Sequence, residues 1–71
     1  MQHDFACADH ASLASITPLT DAAADWLTEN VEPAEIGTPI LAEPRFSLDI
    51  ALGMIGAGLT CENSHLIEEA A

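Results

Sequence analysis

Thr20-Asp21-Ala22-Ala23-Ala24-Asp25-Trp26-Leu27-Thr28-Glu29-Asn30-Val31-Glu32-Pro33 is the stretch on which the fold turns. Thr20 is a natural N-cap, because its hydroxyl can accept from a backbone N–H that the first helical turn leaves unsatisfied. Asp21 follows in that first turn, where the helix dipole favours a carboxylate. Ala23, Trp26, Leu27, Asn30 and Val31 recur at helical spacing and are expected to face a core. Pro33 pushes Glu32 out of the helical region, so the spacing predicts a helix over 20–32. Trp26 reads as core; without basic neighbours it is no stacking platform.

On the carboxyl side, Ile36 to Glu43 reads as a turn and then a short extended segment, with Pro39 restricting it to a leading or edge position. Pro44 opens a second helix as a favoured first-turn residue, with Glu43 as a mediocre cap. Leu48, Ala51, Leu52 and Ile55 form one apolar stripe, and Phe46, Ile50 and Met54 form the adjacent one. A helix apolar around most of its circumference is expected to be the central element of the domain. Gly58 suits the left-handed terminator position. Gly53 and Gly56 each cost roughly 1 kcal/mol relative to Ala, which predicts close packing against another backbone.

The chain ends carry weaker patterns. Asp4 could cap a helix running through Phe5, Ala8, Leu13 and Ile16, although Ser12 and Ser15 weaken it. Leu59-Thr60-Cys61 could pair with Ile40-Leu41-Ala42 as a second short strand, and Ser64 to Ala71 reads as a last helical turn or a tail. No internal repeat is visible. The expected architecture is one small acidic α+β domain over 1–71, helix–short strand–helix with a second short strand. Residues 1–16 and 62–71 are expected to be its less ordered ends.

Charge sets this chain apart. Its 71 residues carry 12 carboxylates against one Arg and no Lys, a formal net charge of −11. Solubility alone asks for a net charge of about 2–8 on a small domain. Self-repulsion costs stability, so the excess points to a function, a basic partner or a halophilic setting. Nucleic acid and anionic membranes are excluded as direct ligands, since neither attracts such a surface. Hydrophobic residues make up 49%, which argues for a packed core and against compositional disorder. Its aromatic members are only Trp26, Phe5 and Phe46, so the core must be thin, and a second copy or a partner could complete it. The amino terminus lacks the basic flank of a signal peptide, and Phe46 to Leu59 is too short and too interrupted by Asp49 to span a bilayer. The expected location is the cytoplasm of a bacterial host, with Cys7 and Cys61 as thiols, although one disulfide between them could form.

The acids are not scattered. Asp21, Asp25, Glu29 and Glu32 occupy i, i+4, i+8 and i+11 and are expected on one helix face, opposite Trp26 and Leu27. Their spacing of about 5–6 Å along the axis is on the scale of the phosphates of a DNA strand, which recur every 3.4 Å or so of rise. A solvated face is the common explanation of such a row, but a solvated face mixes Glu with Lys, and this one holds no cation. Like charges at i,i+4 cost a few tenths of a kcal/mol each, so helix stability does not select the row. Glu35 and Glu43 extend the negative field into the connecting loop. These six residues are the candidate partner-binding set.

Other constellations carry less chemistry. His3, Cys7, His10, Cys61 and His65 contain ligand atoms, but the paired short spacings of zinc sites are absent, so no metal is expected. Cys61 and His65 could form a nucleophile–base pair on a helix. No oxyanion loop, phosphate cradle or room for a substantial pocket accompanies it, so neither catalysis nor a cofactor is expected. Arg45 and Asp49 have the spacing of a modest surface ion pair.

The run Leu19-Thr20-Asp21-Ala22-Ala23-Ala24-Asp25-Trp26-Leu27, continued by Glu43-Pro44-Arg45-Phe46 and Gly58-Leu59-Thr60, resembles the small acidic inhibitor proteins of phages and mobile elements. The similarity covers roughly residues 16 to 61 and rests on size, charge and layout. Among such inhibitors, anti-CRISPR proteins of the DNA-mimic type are the nearest functional class. The resemblance implies an inhibitor that offers carboxylates to a basic nucleic-acid-binding protein, such as a subunit of a CRISPR effector complex. The alternative from the residues themselves is a homodimeric regulator or antitoxin-like protein whose apolar second helix is the interface.

Overall fold

The computed structural model describes residues 3–10 and 12–62. Two strands come first, β1 (Phe5–His10) and β2 (Leu13–Pro18), followed by helix α1 (Asp21–Asn30), strand β3 (Ile40–Ala42) and helix α2 (Pro44–Gly56). The strands form one antiparallel sheet in the order β1-β2-β3. The α+β class is as expected. The amino-terminal helix is not.

Residues 5–18 form a hairpin in which Phe5 pairs with Pro18, Cys7 with Ile16 and Ala8 with Ser15. Side chains alternate across a strand, so Phe5 and Cys7 share a face with Ile16, whereas Ala6 and Ala8 take the other. A helix would have put Phe5 and Ala8 on one side; the sheet puts them on opposite sides. Phe5 and Ile16 are fully buried. Residues 63–71, including the expected last helical turn, lie outside the described residues.

Both helices pack on the face that holds Phe5, Ile16 and Ile40. The core consists of these three with Ala23 and Leu27 of α1, Ile50, Ala51 and Met54 of α2, and Cys61; Trp26 and Val31 pack against it, half-buried. Asn30 faces solvent instead, and its Nδ2 donates to the Trp26 carbonyl at 2.8 Å.

Thr20 caps α1 as expected, with extended backbone (φ −133°, ψ 161°) and its Oγ1 accepting from Ala23 N at 3.3 Å. The helix closes at Asn30, short of the boundary that Pro33 alone would set. Val31 N and Glu32 N both donate to the Leu27 carbonyl, and Ala34 N donates to Thr28 Oγ1 at 3.0 Å. These bonds satisfy the helix end locally, and Glu32 falls in the turn beyond it. Gly37, at φ +85°, then lets the chain reverse and donate its N–H to the Pro18 carbonyl, which delivers Ile40 beside Ile16. β3 is a short edge strand preceded by Pro39, as anticipated.

α2 starts at Pro44, and Glu43 supplies no side-chain cap. Its buried residues are Ser47, Ile50, Ala51 and Met54, while Phe46, Leu52 and Ile55 are exposed. The expected central helix is therefore a one-sided one: a three-stranded sheet gives it a single apolar surface to cover. Gly53 packs against a side chain and not a backbone, since a Cβ there would lie 3.1 Å from Trp26 Cζ2 and Cη2. A Cβ at Gly56 would meet nothing within 4 Å, so close packing does not explain it. At the end of α2, Leu59 N donates to the Met54 carbonyl and Gly58 N to that of Ile55, with Gly58 at φ +93°. This is the Schellman arrangement, and Gly58 fills the left-handed position the sequence offered.

Cys61 pairs in parallel with Phe5 and not with Ile40–Ala42. Phe5 N donates to the Thr60 carbonyl, and Glu62 N donates to the Phe5 carbonyl. A parallel neighbour needs a crossover, and α2 is that crossover: it leaves the β3 edge and returns the chain to the opposite edge of the sheet.

Candidate interaction surface

Asp21, Asp25 and Glu29 are all exposed on α1. At 3.6 residues per turn they fall within a sector of about 80°, centred away from Ala23 and Leu27. The buried side is fixed by the sheet, so the carboxylates have only the outer side available. Glu32 is exposed but off the helix, so the expected four-residue row is three residues on α1 and one in the turn. Among the described residues, none of the six carboxylates accepts a side-chain hydrogen bond or forms an ion pair. Like-charged, solvated carboxylates of this kind carry a strong negative field.

Glu32 and Glu35 come together on a different feature. They line an open groove of about 660 Å³ with Thr28, Pro33, Thr38 and Leu41, between the end of α1 and the edge strand β3. The segment between α1 and β3 supplies most of its lining. Glu43 is exposed at the start of α2, beyond the lining of this groove. The candidate set therefore forms a helix row, a groove pair and an outlying acid.

Arg45 and Asp49 are both exposed and form no ion pair among the described residues. Among those residues no group of three or more His, Cys, Asp or Glu side chains could hold a metal ion. His65, half of the nucleophile–base pairing, lies outside them. No helix among them is long and apolar enough to cross a membrane.

One carboxylate has a role that the sequence reading missed. Asp4, expected to cap a helix of its own, instead joins three parts of the fold. Its Oδ1 accepts from Thr20 Oγ1 at 2.8 Å, and its Oδ2 accepts from Thr60 N at 2.9 Å and Thr60 Oγ1 at 3.2 Å. The backbone N–H of Thr60, then the hydroxyls of Thr20 and Thr60, hold its pKa below the ordinary carboxylate value, with desolvation opposing and the charge of His3 adding slightly. No local pattern announces this, because Thr60 is 56 residues away.

Cys7 and Cys61 also meet across the chain, with their sulfurs 3.8 Å apart. Cys61 pairs with Phe5, and Cys7 lies two residues further along β1 on the same face. No protein-family model matches this chain, and neither a curated protein nor a solved structure is significantly similar to it.

Proposed function

We propose that this protein is an anti-CRISPR-like inhibitor that mimics the charge of nucleic acid and occupies the basic DNA-binding surface of a CRISPR effector complex. The observation that carries the reading is the solvent side of α1, where Asp21, Asp25 and Glu29 are exposed with no cation beside them among the described residues. Glu32 and Glu35 continue the field into the groove beside β3, and Glu43 lies further along the chain. A channel built for phosphates presents Lys and Arg at comparable intervals, so a row of carboxylates displaces its counterions as DNA would. The action is binding and not catalysis, needs no cofactor or metal, and takes place in the cytoplasm of a bacterial host.

Association by exposed charges is fast and salt-sensitive, because screening at 0.1 M salt sets in beyond about 10 Å. The test is competition with target DNA for purified effector complexes of several types, the type I complexes foremost. One or more complexes should lose DNA binding in the presence of the protein, and the effect should fade steeply as salt rises. The triple substitution Asp21→Asn, Asp25→Asn, Glu29→Gln should abolish inhibition while leaving the circular-dichroism spectrum unchanged. Undiminished inhibition by that folded variant at physiological salt, or no inhibition of any complex by the wild type, overturns the reading.

A second reading is favoured by α2. On one flank of α2, Leu52 and Ile55 are 44% and 40% exposed, and an amphipathic helix with such an apolar flank suits a homodimeric regulator or antitoxin-like protein. It requires concentration-dependent dimerisation that Leu52→Glu abolishes. A monomer by analytical ultracentrifugation at high protein concentration removes it.

A further inference from the structure

We propose that Cys7 and Cys61 form a reversible intramolecular disulfide site, a property separate from the acidic surface and independent of the function proposed above. The two thiols lie 54 residues apart in sequence and 3.8 Å apart in space. Their meeting is not a chance surface contact. Backbone hydrogen bonds from Phe5 N to the Thr60 carbonyl and from Glu62 N to the Phe5 carbonyl hold Cys61 against β1, and the side chain of Asp4 clamps Thr60 from the same edge. Cys7 and Cys61 thus project from adjacent, hydrogen-bonded segments toward the same core face. Closing the gap to a bond of about 2.05 Å asks for side-chain rotation and a small adjustment of the last paired residues.

Exposure orders the chemistry. Cys7 is half-buried, whereas Cys61 is 6% exposed and packed in the core cluster with Phe5 and Met54. A small-molecule disulfide, such as oxidised glutathione, therefore reaches Cys7 first. The Cys7 thiol gives up its proton, and the thiolate attacks one glutathione sulfur. A Cys7–glutathione bond forms as the glutathione S–S bond breaks, releasing one glutathione thiolate. The Cys61 thiolate then attacks the Cys7 sulfur and expels the second glutathione thiolate. Two cysteine thiols are oxidised, one glutathione disulfide is reduced, and the two protons lost by the cysteines end on the two glutathione thiols.

The cross-link would close a loop from β1 to the residues after α2, enclosing β2, both helices and β3. Joining residues so far apart in a small domain restricts the unfolded chain strongly, so the oxidised form should melt roughly 10 °C or more above the reduced one.

The experiment equilibrates the full chain in buffers of graded oxidised-to-reduced glutathione ratio, with intact mass and thiol counting as readouts and thermal melting as a check. The expected product is a monomer that has lost two thiols without an adduct, melts higher and returns to two thiols with dithiothreitol. Cys61→Ser should stop at one glutathione on Cys7. Cys7→Ser should stay unmodified while folded and react only in denaturant, which separates inaccessibility of Cys61 from loss of structure. A wild-type chain that accumulates stable glutathione adducts or disulfide-linked dimers overturns the proposal, as does an oxidised monomer that melts below the reduced one. Rapid labelling of Cys61 in folded Cys7→Ser overturns the assigned order of attack.

Discussion

The carboxylate of Asp4 accepts a 2.8 Å hydrogen bond from the hydroxyl of Thr20, the residue whose same oxygen caps α1. One oxygen atom thus links two interactions: it accepts from the N–H of Ala23 and donates a hydrogen bond to a residue just ahead of β1. Because Asp4 also holds Thr60, the start of α1 and the segment after α2 are tied to the same carboxylate.

Asp4 gives the fold an acid-sensitive point. Its pKa is depressed in the folded state, principally by the Thr60 N–H. A carboxyl with a depressed folded pKa stabilises the fold above its unfolded pKa, and that contribution disappears as pH falls through the folded value. Asp4→Asn should lower the melting temperature at neutral pH, since an amide cannot accept all three bonds. Its difference from wild type should shrink on acidification. The two proteins share every other acid, so the difference between the two curves isolates Asp4. A difference that stays constant down to strongly acidic pH would contradict this role.

Thr20→Ala removes the α1 cap and the donor to Asp4 together. Loss of a Thr cap costs about 1 kcal/mol, which in a domain of this size lowers the melting temperature by roughly 4–8 °C. Thr20→Ser keeps the hydroxyl and should recover most of the loss. Thermal melts followed by circular dichroism decide it, and equal destabilisation by Ala and Ser would mean that the methyl group, not the hydroxyl, matters.

The two glycines inside α2 should respond differently to alanine. Gly56, the last residue of α2, has open space where the Cβ would go, so Gly56→Ala should gain part of the roughly 1 kcal/mol by which Ala exceeds Gly in a helix interior. At Gly53 the new Cβ meets the Trp26 ring at 3.1 Å, and the ring must shift. Gly53→Ala should therefore be less stable than Gly56→Ala and should alter Trp26 fluorescence, whereas Gly56→Ala should not. Denaturant melts rank the pair.

Removing charge from the outer side of α1 should separate stability from function. Asp25 and Glu29 are exposed neighbours at i,i+4, a repulsive spacing worth a few tenths of a kcal/mol. Asp25→Asn with Glu29→Gln should leave the melting temperature unchanged or slightly raised while weakening partner binding. A marked loss of stability would show that these carboxylates serve the fold.

Much of the local structure was legible because its causes are local. A threonine before an acidic, alanine-rich run, a proline opening α2 and a glycine two residues past its end each act on their own backbone, and each sits where its chemistry places it. The hairpin was not legible. Phe5, Ala8, Leu13 and Ile16 satisfy a helical spacing, Ala6 and Ala8 give the alternate strand positions little polar contrast, and no Asn-Gly or Asp-Gly pair marks the turn. With ambiguous periodicity, strand pairing decides, and pairing is a non-local event.

The candidate surface divides along the same line. The sequence by itself determined the charge excess and the placement of Asp21, Asp25 and Glu29 on one side of a helix, because helical pitch and charge are properties of the chain. The tertiary structure decided that α1 closes before Glu32, that Glu32 and Glu35 share a groove beside β3, and that one flank of α2 stays uncovered. It also decided the meetings of Asp4 with Thr60 and of Cys7 with Cys61. Those contacts join residues more than fifty positions apart, and only the return of the chain through α2 to the β1 edge brings them within hydrogen-bonding distance.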